Sequence, residues 1–302
     1  MLGTSRIPHA AVGACVALGA LLGIPSAYGG PPRLDHVIVV ILENHSYDQV
    51  RAKPYIASLM ASGATFSGSY AVTHPSQPNY LALWSGGTQG ISDDACPAPG
   101  SPFMAENLGH ACERKGLTWK AYSENLPSAG STACSANSGK YTRKHDPWTD
   151  FGNLNHQNER GYADLAADIG RGALPNLAFV VPNNCNNSHD CSVSTADGWL
   201  AGNVPAMLNA IGRAGVLIVT WDEDDKSASN HILTVMVGTP VKAGFVSTGR
   251  INHYGVLRMI SESLGITPFG AAAGEASVSD VWNSPTPVAQ STWGRVKTLY
   301  RW

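Results

Sequence analysis

The chain has 302 residues, with 20 Lys and Arg against 22 Asp and Glu, a formal net charge of −2 and 43% hydrophobic residues. That near balance excludes a broad nucleic-acid-binding face or a polybasic membrane surface. The apolar content suffices for a sizeable core, and no stretch after the N-terminus approaches membrane-spanning length.

Residues 1–28 have the form of a secretory signal peptide. Arg6 supplies the positive start, Ala10 to Ile24 the apolar stretch, and Pro25-Ser26-Ala27-Tyr28-Gly29 small residues for cleavage. The stretch is short for a transmembrane helix. Val12-Gly13-Ala14-Cys15 loosely resembles a lipoprotein signal, but the apolar run continues past Cys15, which argues against lipidation. A secreted or periplasmic location is therefore expected, with a single domain over 29–282 and a tail over 283–302. Loss of Arg6 leaves 19 basic against 22 acidic residues, a charge of −3.

The first strand is expected at His36-Val-Ile-Val-Val-Ile-Leu42, which ends in Glu43-Asn44. A β-branched run without alternation suits a strand buried on both faces of a parallel sheet. Pro54 opens a periodic segment that stops at Gly63, with proline early and glycine late as helices favour. Next, Ser76 stands before Gln77-Pro78-Asn79-Tyr80 and an apolar run closed by Gly86-Gly87, which predicts a helix with Ser76 as its N-cap. A hydroxyl there faces backbone N–H groups that favour a phosphate. A plain helix cap is the simpler account of Ser76 taken alone.

The stretches 85–106 and 123–160 are long loops rich in Gly, Ser, Asn and Pro, with a helical segment over Asn107–Gly116 and a strand near 117–122 between them. Loops that long are usually functional or form a lobe over a site. Another strand is expected at 177–181, and Asp197 is placed to cap a helix through Trp199, Leu200, Val204 and Met207. Gly215-Val-Leu-Ile-Val-Thr220 predicts a further buried strand, ending in Trp221-Asp222-Glu223-Asp224-Asp225, and 232–237 one more. Asn252 is placed to cap a last helix along Val256, Leu257, Ile260 and Leu264. Alternating strands and helices predict a mostly parallel, doubly wound α/β sheet with helices on both faces.

In such sheets ligands gather at the carboxyl ends of the strands, where both acid clusters fall. Carboxylates with an amide oxygen are hard ligands for a divalent cation. Loop-borne His74, His145, His189 and His253, joined by His231, suit metal ligation, phosphate contact or acid work on a leaving group. Taken together, these pieces describe phosphoryl transfer.

Cys185 and Cys191 are expected to staple one loop and Cys96 with Cys134 to form a second disulfide, leaving Cys112 as a buried free thiol. Zinc held by Cys185, His189 and Cys191 is the alternative, with spacing unlike the common fingers. In the tail, Trp293, Arg295, Lys297, Tyr300, Arg301 and Trp302 could touch a membrane surface, though a packed or frayed terminus is commoner.

The sequence resembles the bacterial phosphoesterase family that holds phospholipases C and secreted acid phosphatases, and within it the small mycobacterial-type acid phosphatases that act on phosphoinositides. Collinear blocks carry the resemblance: 37–44 (Val-Ile-Val-Val-Ile-Leu-Glu-Asn), 73–80 (Thr-His-Pro-Ser-Gln-Pro-Asn-Tyr), 141–148 (Tyr-Thr-Arg-Lys-His-Asp-Pro-Trp), 179–183, 189–190, 197–200, 219–225 and 253–254. It implies a fold similar to the alkaline phosphatase superfamily. It also implies a divalent metal held by Glu43, Asn44, Asp222 and Glu223, with Asp224 and Asp225 left to supporting or loop roles. Ser76 would attack phosphorus. Its Ser-x-Pro-Asn-Tyr setting also resembles the nucleophile helix of nucleotide pyrophosphatases, which favours it over Thr73. His189, with Asp190, would serve the phosphate or the leaving group; His145 and Lys144 would contact phosphate oxygens, and His74 and His253 are further candidates.

There are departures. Larger phospholipase members follow the acid cluster with Gly-Phe and an Asp-His pair, whereas here Lys226-Ser-Ala-Ser intervenes and Asn230 precedes His231. The long C-terminal extensions of many phospholipases C are also missing, which leans towards monoesters. The expected function is an acid phosphatase acting through a phosphoseryl intermediate on a phosphorylated small molecule or lipid headgroup, with no nucleic-acid partner. The rivals are a phospholipase C-type phosphodiesterase and a secreted binding protein without catalysis.

Overall fold

The computed structural model describes Met1 and residues 30–283. The expected signal peptide beyond Met1, and the tail after Asn283, lie outside the described residues. In chain order the elements begin with β1 (His36–Leu42), α1 (Tyr47–Val50), α2 (Pro54–Ser62), β2 (Ala64–Tyr70), α3 (Ser76–Ser85), α4 (Leu108–Arg114) and β3 (Trp119–Ser123). Short strands β4 (Ser135–Ala136), β5 (Tyr141–Thr142) and β6 (Glu159–Gly161) follow, with 3-10 turns between them. Then come α5 (Ala163–Gly170), β7 (Leu177–Val181), α6 (Val193–Ala210), β8 (Gly215–Trp221), β9 (Thr234–Val237), β10 (Phe245–Asn252) and α7 (His253–Ser263).

Eight strands form one sheet in the order β10-β2-β9-β8-β1-β7-β3-β6. β9 runs against both neighbours, and the other pairings are parallel. The expected α/β architecture is present. β1 shows why its run needs no polar alternation. Val37, Val39 and Ile41 pack on the face covered by α3, α4 and α7, while Ile38, Val40 and Leu42 pack on the face covered by α2, α5 and α6. Burying an aliphatic side chain contributes about 1.5–3 kcal/mol, so both faces favour this register.

Two local expectations hold: Gly63 ends α2, and Asn252 accepts from the Gly255 N–H at the start of α7. The helix expected over Asn107–Gly116 forms as Leu108–Arg114, and Asn107 accepts from the His110 N–H at its start. Asp197 departs from expectation. The cap of α6 is Ser192, and Asp197 lies inside the helix, where its carboxylate accepts from the Tyr55 and Ile56 N–H groups at the start of α2. It caps a neighbouring helix instead of its own. Lys53, the residue at that N-terminus, offers no side-chain acceptor.

The two long loops are joined by the Cys96–Cys134 disulfide, with Cys185–Cys191 as the second bridge and Cys112 buried and free, as expected. Because Cys185 and Cys191 bond to each other, the zinc alternative is removed.

Candidate active site

The parallel pairing of β1 with β8 sets Leu42 opposite Trp221, so the next residues, Glu43 and Asp222, emerge side by side. Two hydrogen bonds extend the junction: the Asp222 N–H donates to the Leu42 carbonyl at 3.0 Å, and the Asn44 N–H donates to Asp222 Oδ1 at 3.0 Å. Asn44 takes a left-handed backbone, φ 52°, a conformation that asparagine tolerates better than most residues. Both acids are buried. Burial, with Asp222 adding repulsion, holds the Glu43 carboxyl well above the usual range, and burial likewise raises Asp222. The Glu223 carboxyl is pushed up to about 8, first by burial and then by Asp222.

Ser76 was expected to be the N-cap of α3, but Pro75 holds that position and Ser76 is the first residue of the helix. Its hydroxyl lies 3.2 Å from Glu43 Oε2 and 3.2 Å from Glu223 Oε1. Asn79 fixes the approach to the helix: its Oδ1 accepts from the Val72 and Thr73 N–H groups, and its Nδ2 donates to the Thr73 and Pro75 carbonyls. One turn on from Ser76, the Tyr80 hydroxyl donates to Glu43 Oε1. Burial, followed by the charge of Glu43, raises the Tyr80 phenol and keeps it a donor. At the far end Gly86 adopts φ 70°, and a Cβ there would meet the Phe269 carbonyl oxygen at 2.8 Å. Only glycine closes α3 in that space.

A cavity of about 260 Å³ opens above this floor, lined by Asn44, Ser76, Asp94, Lys144, His189, Glu223, Asp224, Asp225 and Lys226. His74 Nδ1 lies 2.5 Å from Glu223 Oε2 and its Nε2 3.2 Å from Asp224 Oδ1, so the ring bridges two acids behind the rim. His189 Nδ1 lies 2.6 Å from the exposed Asp190, which leaves Nε2 facing Lys144 Nζ at 3.5 Å. Lys144 also donates to Asp94 Oδ2 at 2.9 Å. Burial presses the Lys144 pKa down, but the Asp94 bond and the charges of Asp94, Glu43 and Asp222 outweigh it and hold the group above its ordinary value.

His145 is buried beneath the cavity, stacked on Tyr80, with Nε2 3.3 Å from Glu43 Oε1. Burial first, then Lys144 and His189, holds its pKa well below the ordinary value. His253 does not line the cavity. It is buried behind the metal-type acids, donates from Nε2 to the Asp222 carbonyl at 2.6 Å, and is pushed by burial down to about 4. His231 stands apart, stacked between Tyr47 and Tyr70 with Nε2 donating to the Ser67 carbonyl at 2.8 Å. Two functional neighbours escaped the sequence reading. Tyr80 belonged to the quoted block and lies one helical turn from Ser76, a usable signal; Asp94 carried none beyond its place in a long loop.

The donors suit a hard cation. Among the described residues no three His, Cys, Asp or Glu side chains are gathered into a ready ligand group. Even so, Asn44 Oδ1 and Asp222 Oδ2 are buried without hydrogen-bond partners, beside two further carboxylates and a hydroxyl. Oxygen atoms left unpaired in a buried acidic site fit a divalent ion held by Glu43, Asn44, Asp222 and Glu223.

Comparison with known proteins agrees with this architecture. A model of the phosphoesterase family matches residues 50–267. A phosphatidylinositol-3-phosphatase of Mycobacterium tuberculosis is 37% identical over 269 residues, covering 88% of each chain. A protein of Kluyveromyces lactis named as a probable acid phosphatase is 25% identical over 266 residues, 83% of this chain and 63% of its own. Among solved structures, an alkaline phosphatase superfamily protein from Vibrio parahaemolyticus superposes with a TM-score of 0.60 at 12% identity, over 83% of this chain and 74% of its own. Murine ectonucleotide pyrophosphatase/phosphodiesterase 5 does so with a TM-score of 0.58 at 12% identity, over 82% and 100%. The fold is that of the alkaline phosphatase superfamily, and the chain belongs to the phosphoesterase family.

Proposed function

We propose that this chain is an exported, metal-dependent phosphomonoesterase of the acid phosphatase type that works through a phosphoseryl intermediate on Ser76. The observation that carries the proposal is the Ser76 hydroxyl, fixed at the start of α3 between the carboxylates of Glu43 and Glu223 on a cavity floor. The names of the mycobacterial and yeast relatives support a monoester substrate, including a phosphoinositide headgroup. The two disulfides support export.

Glu43, Asn44, Asp222 and Glu223 would hold the cation. When bound, it supplies charge to lower the pKa of a neighbouring hydroxyl and to draw electron density from phosphoryl oxygens. The chain itself does the rest. Tyr80 and Asn79 fix the floor and the helix start, so that Ser76 Oγ is aimed before substrate arrives. The hydroxyl proton passes to Glu223 in its ionised form, whose Oε1 lies 3.2 Å from Ser76 Oγ. Ser76 Oγ forms the bond to phosphorus as the ester oxygen leaves, and His189 Nε2, oriented by Asp190, gives that oxygen its proton. Lys144 contacts the phosphoryl oxygens. Water then attacks phosphorus and gives a proton to His189 Nε2 as the P–Oγ bond breaks, and the Glu223 carboxyl returns its proton to Ser76 Oγ, so that phosphate is freed and both groups are reset.

The test compares a chromogenic phosphate monoester with its diester. The monoester should be preferred, and both chelation and Ser76→Ala should lower turnover by about 10³-fold or more. A strong diester preference would favour a phospholipase C-type phosphodiesterase. Absence of hydrolysis across pH with added divalent ions would favour a binding protein.

A further inference from the structure

We propose that Asp94 is a resident counter-anion of the phosphate site, a carboxylate that holds Lys144 and the start of α3 until phosphate displaces it. The proposal rests on the reading of Lys144 as a phosphate contact. Asp94 Oδ2 accepts from Lys144 Nζ at 2.9 Å, and Oδ1 accepts from the Gln77 N–H at 3.0 Å. Gln77 follows Ser76 at the beginning of α3. One carboxylate therefore engages both an ammonium and a helix N-terminal N–H, two groups that attract phosphate. Ser76, Asp94 and Lys144 line the same cavity.

The pair can be dislodged. The Asp94 side chain is 30% exposed, so the ion pair is partly hydrated, and pairs of that kind are weak. A phosphate dianion that also reaches Ser76 carries more charge and makes more bonds. Asp94 lies in a stretch without helix or strand, and two residues later Cys96 is bonded to Cys134, in the segment leading to Lys144. This tether keeps the displaced carboxylate at hand to reclaim Lys144 as the product departs.

Removal of Asp94 has two opposed effects on affinity. It costs Lys144 an orienting partner, but it also removes the negative charge that phosphate must dislodge. The charge effect decides the equilibrium, because the ammonium cannot be shared fully between two anions. A merely structural role for Asp94 predicts the opposite sign.

The experiment measures inhibition by inorganic phosphate of p-nitrophenyl phosphate hydrolysis, with the full chain loaded with divalent ion. Asp94→Asn should lower the inhibition constant by about three- to fivefold. An unchanged or raised constant overturns the proposal. Asp94→Ser, which removes the charge with a smaller polar side chain, should shift it the same way, so the result does not hang on one variant's folding. With Lys144→Met in place, the effect of Asp94→Asn should shrink below about twofold; a full effect there contradicts action through Lys144. Weakened phosphate binding by Lys144→Met alone, without tightening by Asp94→Asn, sinks only this proposal. If Lys144→Met leaves phosphate binding unchanged, the reading of Lys144 fails and this proposal with it.

Discussion

The Ser76 hydroxyl lies 3.2 Å from Glu43 Oε2, although the two residues are 33 positions apart, one opening α3 and the other directly following β1. α3 is fully buried at both residues that reach Glu43, Ser76 and Tyr80, so the contact is set by packing and not by a mobile loop. If Ser76 is the nucleophile, as proposed, a hydroxyl fixed in this way loses little entropy on reaching its target.

Asp222 separates metal affinity from stability. Its carboxyl is buried, one oxygen is unpaired, and burial raises its pKa. Asp222→Asn should leave the metal-free protein at least as stable as wild type, because an ionisable buried group is removed. Divalent ions should raise the melting temperature of wild type, and the variant should lose most of that rise. Thermal melts with and without the ion check this; an undiminished rise in the variant would remove Asp222 from the ligand set.

Asp146 gives a pH dependence away from the metal-type acids. Burial pushes its carboxyl from 3.8 up to about 8, despite the bond that Ser123 Oγ donates to Oδ1 at 2.7 Å. A raised folded value means that the contribution is complete below the ordinary carboxylate range and is lost as pH rises towards about 8. Each pH unit in that window changes stability by up to about 1.4 kcal/mol. Asp146→Asn should flatten this part of the stability–pH curve of the metal-loaded protein. A slope identical to wild type would show that Asp146 does not titrate there.

Asp197 should matter to folding and not to chemistry. Its carboxylate satisfies the Tyr55 and Ile56 N–H groups of α2, far along the chain from its own helix start. Asp197→Ala should destabilise by roughly 1–2 kcal/mol in urea titrations, as loss of a helix cap does, with unchanged kcat on a chromogenic monoester. A large fall in kcat at full folding would assign Asp197 a different task.

The apolar runs announced β1, β7 and β8 because those strands are buried on both faces and must be apolar throughout. β2 and β10 left no such mark. β2 is Ala-Thr-Phe-Ser-Gly-Ser-Tyr, and β10 is the sheet-edge strand Phe-Val-Ser-Thr-Gly-Arg-Ile-Asn with several exposed positions, so tertiary pairing decides their state. The acids at the ends of β1 and β8 were legible because parallel register turns two sequence runs into one edge. Asp94 was not, since it reaches Lys144 through a loop whose path depends on the Cys96–Cys134 bridge. His253 and His231 looked like cavity residues in sequence, but one serves the Asp222 backbone and the other an aromatic stack.

That bridge yields its own prediction. Cys96 and Cys134 are separated by 38 positions and join the two long loops. Replacing both with serine should cost about 3–4 kcal/mol through the freedom restored to the unfolded chain. The loss should appear in urea unfolding as a lower midpoint. An unchanged midpoint would mean that the loops order without the bridge.

The central claim is covalent transfer of phosphoryl to Ser76. Its most direct test is acid quenching of the metal-loaded enzyme during turnover of a phosphomonoester, followed by peptide mass spectrometry. The account predicts phosphate on Ser76 in wild type and none in Ser76→Ala. Turnover at full rate with no phosphate on Ser76, or phosphate found on another side chain, would contradict it.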